Sequence, residues 1–197
     1  MNRAAKSKPT GTALYLRIEK MKTKRVFATI TLVLPLFCAG TMRAADGFEG
    51  VHCGSDVAKA MIGKKVSNER VVVIEARHKD LDLKDLGAEE ISDRRNLITW
   101  RICGDEYAVL EEGDVVKDVL KLPPHSKETP QFLGSCQLNG KDLPGTIIGV
   151  LKNEEGASTL SVLSAWKIDE KKVKFVKLET EGLRCGREGI VTEDGGR

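Results

Sequence analysis

Residues 98–109 read ITWRICGDEYAV, and this stretch carries the clearest structural signal in the chain. Apolar residues occupy every second position on both sides of a Gly104-Asp105 pair, namely Ile98, Trp100, Ile102, Tyr107 and Val109. Alternation of this kind predicts two strands with one buried face, and a Gly-Asp loop predicts a tight hairpin between them. With that turn, Ile102 is expected opposite Tyr107 and Trp100 opposite Val109, so that the apolar side chains share a face.

A similar pattern recurs 66 residues later, where Trp166 and Ile168 precede a polar Glu170-Lys171 tip and Val173 and Phe175 follow it. The spacing is the same in both copies. It suggests two similar antiparallel units and an old duplication, with Val71–Glu75 corresponding to 146–151. The alternative is that any two amphipathic hairpins resemble each other.

Aromatic residues are few, so the core is expected to need those in the two hairpins. The predicted core aromatics are Trp100, Trp166, Tyr107 and Phe175. Both indoles are expected to be buried in one core, contributed from opposite sides. The competing hypothesis is that one tryptophan is an exposed anchor for a ligand.

Upstream of the first hairpin, Ser55 and Asp56 are good N-cap residues and predict a short helix that ends at Gly63. The β-branched run within Arg70–Arg77 predicts a strand buried on both faces. The acidic stretch that follows is interpreted as a solvated loop with a helical turn at 81–86. A calcium loop is the rejected alternative, because Lys84 occupies the third ligand position.

Further strands are predicted downstream, at 115–122, 132–138 and 160–168, with a proline-rich connector at 123–130 and an Asn139-Gly140 hairpin turn. The predicted fold is therefore mainly β: an antiparallel barrel or sandwich of two similar meander units, with eight or nine strands in all and one short N-terminal helix.

The start of the chain predicts a cleaved signal peptide at 21–45. A basic Met-Lys-Thr-Lys-Arg start precedes an uncharged run from Val26 to Gly40, and small residues follow. This run is too short for a spanning helix, and Leu36-Phe37 before Cys38 argues against a lipid anchor. Residues 1–20 are interpreted as an over-extended start, 46–192 as a single disulfide-bonded β-rich domain and 193–197 as a flexible tail.

Removal of residues 1–45 reverses the charge. The whole chain has 32 basic and 29 acidic residues, but the leader holds nine of the former and one of the latter. The mature chain would have 23 and 28, a net charge of −5 with neutral histidines. A nucleic-acid partner is therefore not expected, and neither is a stable membrane anchor after cleavage.

Four cysteines remain after the leader: Cys53, Cys103, Cys136 and Cys185. An even number in an exported chain predicts two disulfides, whereas zinc sites favour close Cys-x-x-Cys pairs that are absent here. Spacing alone leaves three pairings open. We expect Cys53–Cys103 and Cys136–Cys185, one within each half.

Recognisable catalytic motifs are missing. Ser164 and Lys167 match Ser-x-x-Lys, but in a strand their side chains would point to opposite faces. The histidines, His52, His78 and His125, are scattered, so no catalytic, cofactor-binding or metal-binding residue is predicted.

Size, location and class give the chain an outline that resembles the small disulfide-bearing periplasmic inhibitors, such as lysozyme inhibitors, although it carries none of their motifs. We expect a periplasmic or secreted, non-enzymatic binding or inhibitor-like module, with an unknown protein or small ligand as partner. The alternative is a small secreted hydrolase whose site assembles only in three dimensions. A scaffold protein of the cell envelope is a third possibility, which sequence does not separate from the first.

Overall fold

Two antiparallel sheets form the framework, and the computed structural model describes residues 46–67 and 69–191. The mainly β prediction is confirmed. The leader predicted at 21–45, the upstream segment 1–20 and the tail 193–197 lie outside the described residues and stay predictions.

The first half contains two short helices and four strands. Their bounds are α1 Val57–Met61, α2 Val71–Arg77, β1 Lys84–Ser92, β2 Arg95–Ile102, β3 Asp105–Glu112 and β4 Val115–Lys121, with a 3-10 turn at Lys79–Leu81. The second half adds β5 Gln131–Leu138, β6 Lys141–Leu151, β7 Thr159–Asp169, β8 Lys174–Leu178 and β9 Leu183–Gly186, with a 3-10 turn at Arg187–Gly189.

Strands β1 to β4 form the first sheet as an up-and-down meander. The β2–β3 hairpin exists, but its turn is Cys103-Gly104, one residue earlier than predicted. Both turn residues have positive φ, 54° and 84°, as a type I′ turn requires. Trp100 therefore lies opposite Tyr107 and not Val109. A shift of two positions leaves every side chain on its original face, so the predicted buried face survives the error.

Helix α1 begins where the sequence predicts. The Asp56 carboxylate accepts a hydrogen bond from the Lys59 main-chain N–H at 3.0 Å, which caps the helix, and Val57 and Met61 are buried.

The strand predicted at Arg70–Arg77 is wrong, because this segment is helix α2. Its β-branched residues oppose a helix only weakly, by less than about 1 kcal/mol each. Tertiary contacts outweigh that cost: Ile74 is buried against the first sheet, and Glu75 accepts a hydrogen bond from the Asp85 main chain at 2.9 Å. Val72 points outward and is 62 % exposed.

The acidic stretch was also mispredicted as a loop. Its first residues make the 3-10 turn, with Leu81 buried, and the rest forms β1 at the edge of the sheet. Charged residues are common on edge strands, since they discourage pairing with other chains. A predominance of carboxylates was therefore compatible with a strand.

In the second sheet, β5, β6, β7 and β9 close into a small barrel, because β9 pairs with both β5 and β7 while β6 joins β5 to β7. Strand β8 pairs with the far end of β7. The Asn139-Gly140 turn is found as predicted, with Leu138 opposite Lys141. The β7–β8 turn is longer than expected, so Ile168 lies opposite Phe175 and Trp166 opposite Lys177.

Three groups of buried side chains hold these layers together. The helices cover one face of the first sheet, the other face packs against the barrel, and a third group fills the barrel. Trp100 is 5 % exposed and lies under the helices with Tyr107. Trp166 and Phe175 are only partly buried, between the sheets. The expectation of two indoles buried in one core is therefore wrong.

The duplication hypothesis loses part of its support. Each half contains a four-strand meander, β1–β4 and β5–β8. The matching tryptophan hairpins, however, are the second and third strands of one meander and the third and fourth of the other. Val71–Glu75, which should match a strand, is helical.

Both disulfides are present with the expected pairing, Cys53–Cys103 and Cys136–Cys185. The first joins the segment before α1 to the β2–β3 turn, and the second links facing residues of β5 and β9. Two such bonds are typical of proteins in oxidising compartments outside the cytoplasm. Within 46–67 and 69–191, no helix is long and apolar enough to cross a bilayer.

Candidate functional site: a cleft between the two sheets

A cleft of about 1120 Å³ opens where the first sheet diverges from the barrel. One wall is formed by residues 84–89 of β1 and by β2. The β2–β3 turn and the proline connector at 122–125 close one end, and β5 with Val191 forms the opposite wall. The volume lies slightly above the range of about 300–1,000 Å³ that is usual for small-molecule sites, so a small molecule or a short peptide could fit.

The two strands of the first wall meet the cleft differently. From β2 it contacts alternate residues, Leu97, Thr99 and Arg101, which is one face of the strand. From β1 it contacts six consecutive residues. This continuous contact spans the irregularity between Asp85 and Gly87, where the alternation of side chains along β1 is interrupted.

A carboxylate held by two partners lies at the closed end. Glu106 at the start of β3 accepts a hydrogen bond from the Arg101 guanidinium at 2.8 Å, and its other oxygen is 2.8 Å from His125 Nε2. Arg101 and Glu106 are cross-strand neighbours, and His125 comes from the connector. The pocket therefore depends on two sequence-distant segments.

Burial alone would raise the pKa of Glu106, but the hydrogen bonds from His125 and Arg101 outweigh it and hold the pKa below its usual value of 4.5. Glu106 is therefore ionised at neutral pH, and an ionised carboxylate only accepts hydrogen bonds. The proton in the contact then belongs to His125 Nε2, which leaves Nδ1 as the basic atom of the ring.

An amide side chain lies in the opposite wall. Gln131 at the start of β5 is 5 % exposed, and its main-chain carbonyl accepts a hydrogen bond from Val191 at 2.9 Å. Among the described residues, the buried side-chain polar atom without a hydrogen-bond partner is Glu111 Oε1, so the amide of Gln131 is reached by solvent from the cleft. Such an amide can exchange its water for a ligand, to which it offers two donors and one acceptor.

Charged side chains of both signs are frequent in the described lining. It contains four carboxylates, Asp85, Glu89, Asp105 and Glu106, against two cations, Lys84 and Arg101. The floor is apolar, with Leu97, Leu122 and Leu133. Asp105 is paired with Lys121 at 2.6 Å and Glu106 with Arg101 at 2.8 Å, so much of the charge at the rim is balanced by neighbouring side chains. An apolar floor beneath a polar rim suits a ligand that has both apolar and polar parts.

Of the residues that the sequence analysis considered for catalysis, His125 lines the cleft and the others lie outside it. Cys53 beside His52 is oxidised, and His78 contacts Asp46 at 2.9 Å and not Asp80. Ser164 and Lys167 both lie within β7. No cluster of three His, Cys, Asp or Glu side chains suited to a metal is found within 46–67 and 69–191.

Sequence reasoning missed the residues that meet in the cleft, because Arg101, His125 and Gln131 come from separate segments. One signal was available. Arg101 and Glu106 alternate with the apolar residues of the β2–β3 hairpin, so they lie opposite each other on its other face. A charged pair at such positions indicates that this end of the face is not part of the core.

Comparisons with protein-family models, with curated proteins and with solved structures find no match to this chain. A functional assignment therefore rests on the geometry of the cleft.

Proposed function

We propose that the protein is an exported, non-enzymatic binding module of the periplasm or the secreted fraction, and that its ligand occupies the cleft between the sheets. The observation that carries this proposal is the cleft itself, about 1120 Å³ in volume, with an apolar floor and charged and amide side chains around it. Concave sites with an apolar floor and a few fixed polar groups are the usual form of ligand-binding sites.

The pairing of the charged groups favours binding over bond chemistry. Glu106 is engaged by Arg101 and His125, so the three side chains hold one another in place. Such fixed groups discriminate between ligands without paying the entropy of ordering mobile side chains. Thr99 supplies the sole hydroxyl among the described residues around the cleft, and no base is hydrogen-bonded to it.

Export is supported by two independent features. The segment 21–45 has the pattern of a signal peptide, and both disulfides form within the chain. An inhibitor-like role would follow if the ligand is the reactive segment of another envelope or secreted protein.

Filling the cleft tests this proposal. Thr99→Trp would place an indole on the β2 face that lines the cleft, and Thr180→Trp makes the same change at a half-buried threonine outside it. Both proteins and the parent would be immobilised and exposed to envelope extract and culture medium of the native host. We expect a ligand retained by the parent and by Thr180→Trp and lost from Thr99→Trp. Identical retention by all three would contradict a cleft ligand.

A hydrolase is the second candidate, because a histidine and a carboxylate converge in the cleft. His125 Nδ1 could take a proton from a water molecule while Glu106 orients the ring and stabilises the imidazolium that forms. This arrangement needs no protein nucleophile.

Fluorogenic esters, peptides and glycosides would separate the two candidates. A hydrolase should lose activity in His125→Gln and keep it in His52→Gln, a change at an exposed histidine far along the chain. A binding module should show no turnover in the parent, and ligand retention would persist in His52→Gln.

A further inference from the structure

The two disulfides that the structure shows differ in their exposure. Cys53 is exposed and Cys103 is half-buried, whereas Cys136 and Cys185 are only 3 % and 1 % exposed. A thiolate breaks a disulfide by direct attack on one of its sulfur atoms, so the rate depends on access to the bond. Of the two bonds, Cys53–Cys103 is therefore the one that a reductant in solution can reach in the folded protein.

The chain around this bond leaves space for a reagent. Each cysteine is followed by a glycine, Gly54 or Gly104, and beyond the adjoining residues no described atom lies within 4 Å of the point where a side chain would begin at either glycine. Residues 52–56 are exposed throughout. In the barrel, by contrast, Cys136 lies opposite Cys185 in paired strands, so this bond becomes accessible only when β5 and β9 separate.

Opening the exposed bond would leave the fold in place. The segment that carries Cys53 is anchored on either side by buried residues, Val51 and Val57, each 3 % exposed. On the other side of the bond, Cys103 directly follows Ile102, which is fully buried. Because these contacts do not involve the sulfur atoms, the change caused by reduction would be confined to the turn that Cys103 begins.

This turn suits a cysteine poorly without its partner. Cys103 is the first of the two residues in the β2–β3 turn and has a φ of 54°. Residues with a Cβ avoid this left-handed region, and Asn and Gly are the usual occupants of such turns. The bond to Cys53 helps to hold Cys103 in this conformation, so reduction removes a restraint from a strained turn.

The same turn closes one end of the cleft. Gly104, Asp105 and Glu106 all belong to the cleft lining. Glu106 also contacts His125 of the proline connector at 2.8 Å. A displacement of the turn would therefore reach the connector through the contact between Glu106 and His125.

We propose that Cys53–Cys103 is an exchangeable disulfide, which a dithiol reductant opens in the folded protein, and that its reduction loosens the closed end of the cleft. One thiolate of the dithiol attacks the Cys53 sulfur, the bond between the cysteines breaks, and Cys103 leaves as a thiolate that takes up a proton. The second thiol of the reductant then attacks the mixed disulfide and releases Cys53 as a thiol. Two electrons pass to the protein, and the dithiol becomes a disulfide. The exchange does not rest on the proposed binding function, because neither step needs a ligand.

Timed reduction of the folded protein tests the exchange. Dithiothreitol serves as the dithiol, an alkylating reagent stops the reaction, and peptide mass spectrometry identifies the labelled cysteines. We expect Cys53 and Cys103 to be labelled at least about tenfold faster than Cys136 and Cys185, because the first pair is accessible without opening the barrel. Equal rates, or faster labelling of the barrel pair, would overturn the proposal.

Two double variants test the coupling to the cleft. Both remove the bond, but Cys53→Ser with Cys103→Ser leaves an unsuitable residue in the turn, whereas Cys53→Ser with Cys103→Asn supplies one that readily adopts a positive φ. The amide chemical shift of His125 in ¹⁵N-labelled protein reports on the connector. We expect this signal to move in the serine variant and to stay near its parent position in the asparagine variant. A signal that does not move, or that moves equally in both variants, would overturn the coupling through the turn.

Reduction of the parent keeps the test decisive if a variant does not fold. The His125 signal should then move while the spectrum as a whole keeps the dispersion of a folded protein. A spectrum that collapses when this bond alone is reduced would show that the bond holds the fold, which contradicts exchange in the folded state. Whether the cleft binds a ligand is decided separately, by the comparison with Thr99→Trp.

Discussion

Glu111 should make the protein less stable as the pH rises. This residue of β3 is 3 % exposed, and its Oε1 atom has no hydrogen-bond partner among the described residues. Burial raises its pKa to about 7, from an ordinary value of 4.5. Each pH unit of difference corresponds to about 1.4 kcal/mol, so the ionised carboxylate costs the fold about 3 kcal/mol.

The sign follows from proton binding. Between the ordinary pKa of 4.5 and the folded value of about 7, the folded state holds the proton and the unfolded state has lost it. The free energy of unfolding therefore falls across this interval because of Glu111, and the loss is complete above it. Asp46 contributes in the opposite direction. Burial would raise its pKa, but hydrogen bonds from His78 and Arg77 lower it, so its contribution is lost on acidification.

Glu111→Gln isolates the effect, because an amide of the same shape does not ionise. Relative to the parent, the variant should have nearly the same free energy of unfolding at about pH 4 and a value about 3 kcal/mol higher at about pH 8. Urea unfolding followed by tryptophan fluorescence, with the disulfides intact, gives both values. Glu155→Gln changes an exposed carboxyl and is the control. A difference between Glu111→Gln and the parent that is equal at both pH values would refute the reasoning.

Three further predictions concern the core, the barrel and the leader. Trp100→Ala should cost about 3–5 kcal/mol of unfolding free energy and Trp166→Ala clearly less, because only the first indole is fully buried; equal losses in thermal unfolding would contradict this. Replacement of both Cys136 and Cys185 by serine opens a loop of 49 residues and should cost about 4 kcal/mol, measured by denaturant unfolding against the parent without reductant; an unchanged midpoint would argue against a stabilising bond. Mass spectrometry of protein from the native host should find an N-terminus at or near Asp46, and an intact leader in cytosolic protein would rule out cleavage at 21–45.

Strand alternation and turn residues in the sequence determined most of the β architecture. The buried face around Trp100 could be predicted because side chains in a strand alternate with a period of two, whatever the exact pairing. The register of the hairpin could not be predicted in the same way. Either Cys103 or Asp105 can form the two-residue turn with Gly104, and only the assembled sheet shows that Cys103 does. The disulfide pairing also agreed with a local rule, one bond within each half.

Tertiary contacts decided the rest. Val71–Arg77 became a helix because Ile74 and Glu75 gain partners on the first sheet that a local propensity does not count. Trp166 is left half-buried because the interface between the sheets, and not its own strand, sets its exposure.

The cleft could not be predicted from the sequence for the same reason. Arg101, His125 and Gln131 approach one another only when the proline connector folds back over the first sheet. No periodicity or spacing encodes that approach, because it depends on how two independently patterned sheets pack. The sequence alone determined which faces are apolar and which compartment the cysteines suit, and packing decided which polar groups meet.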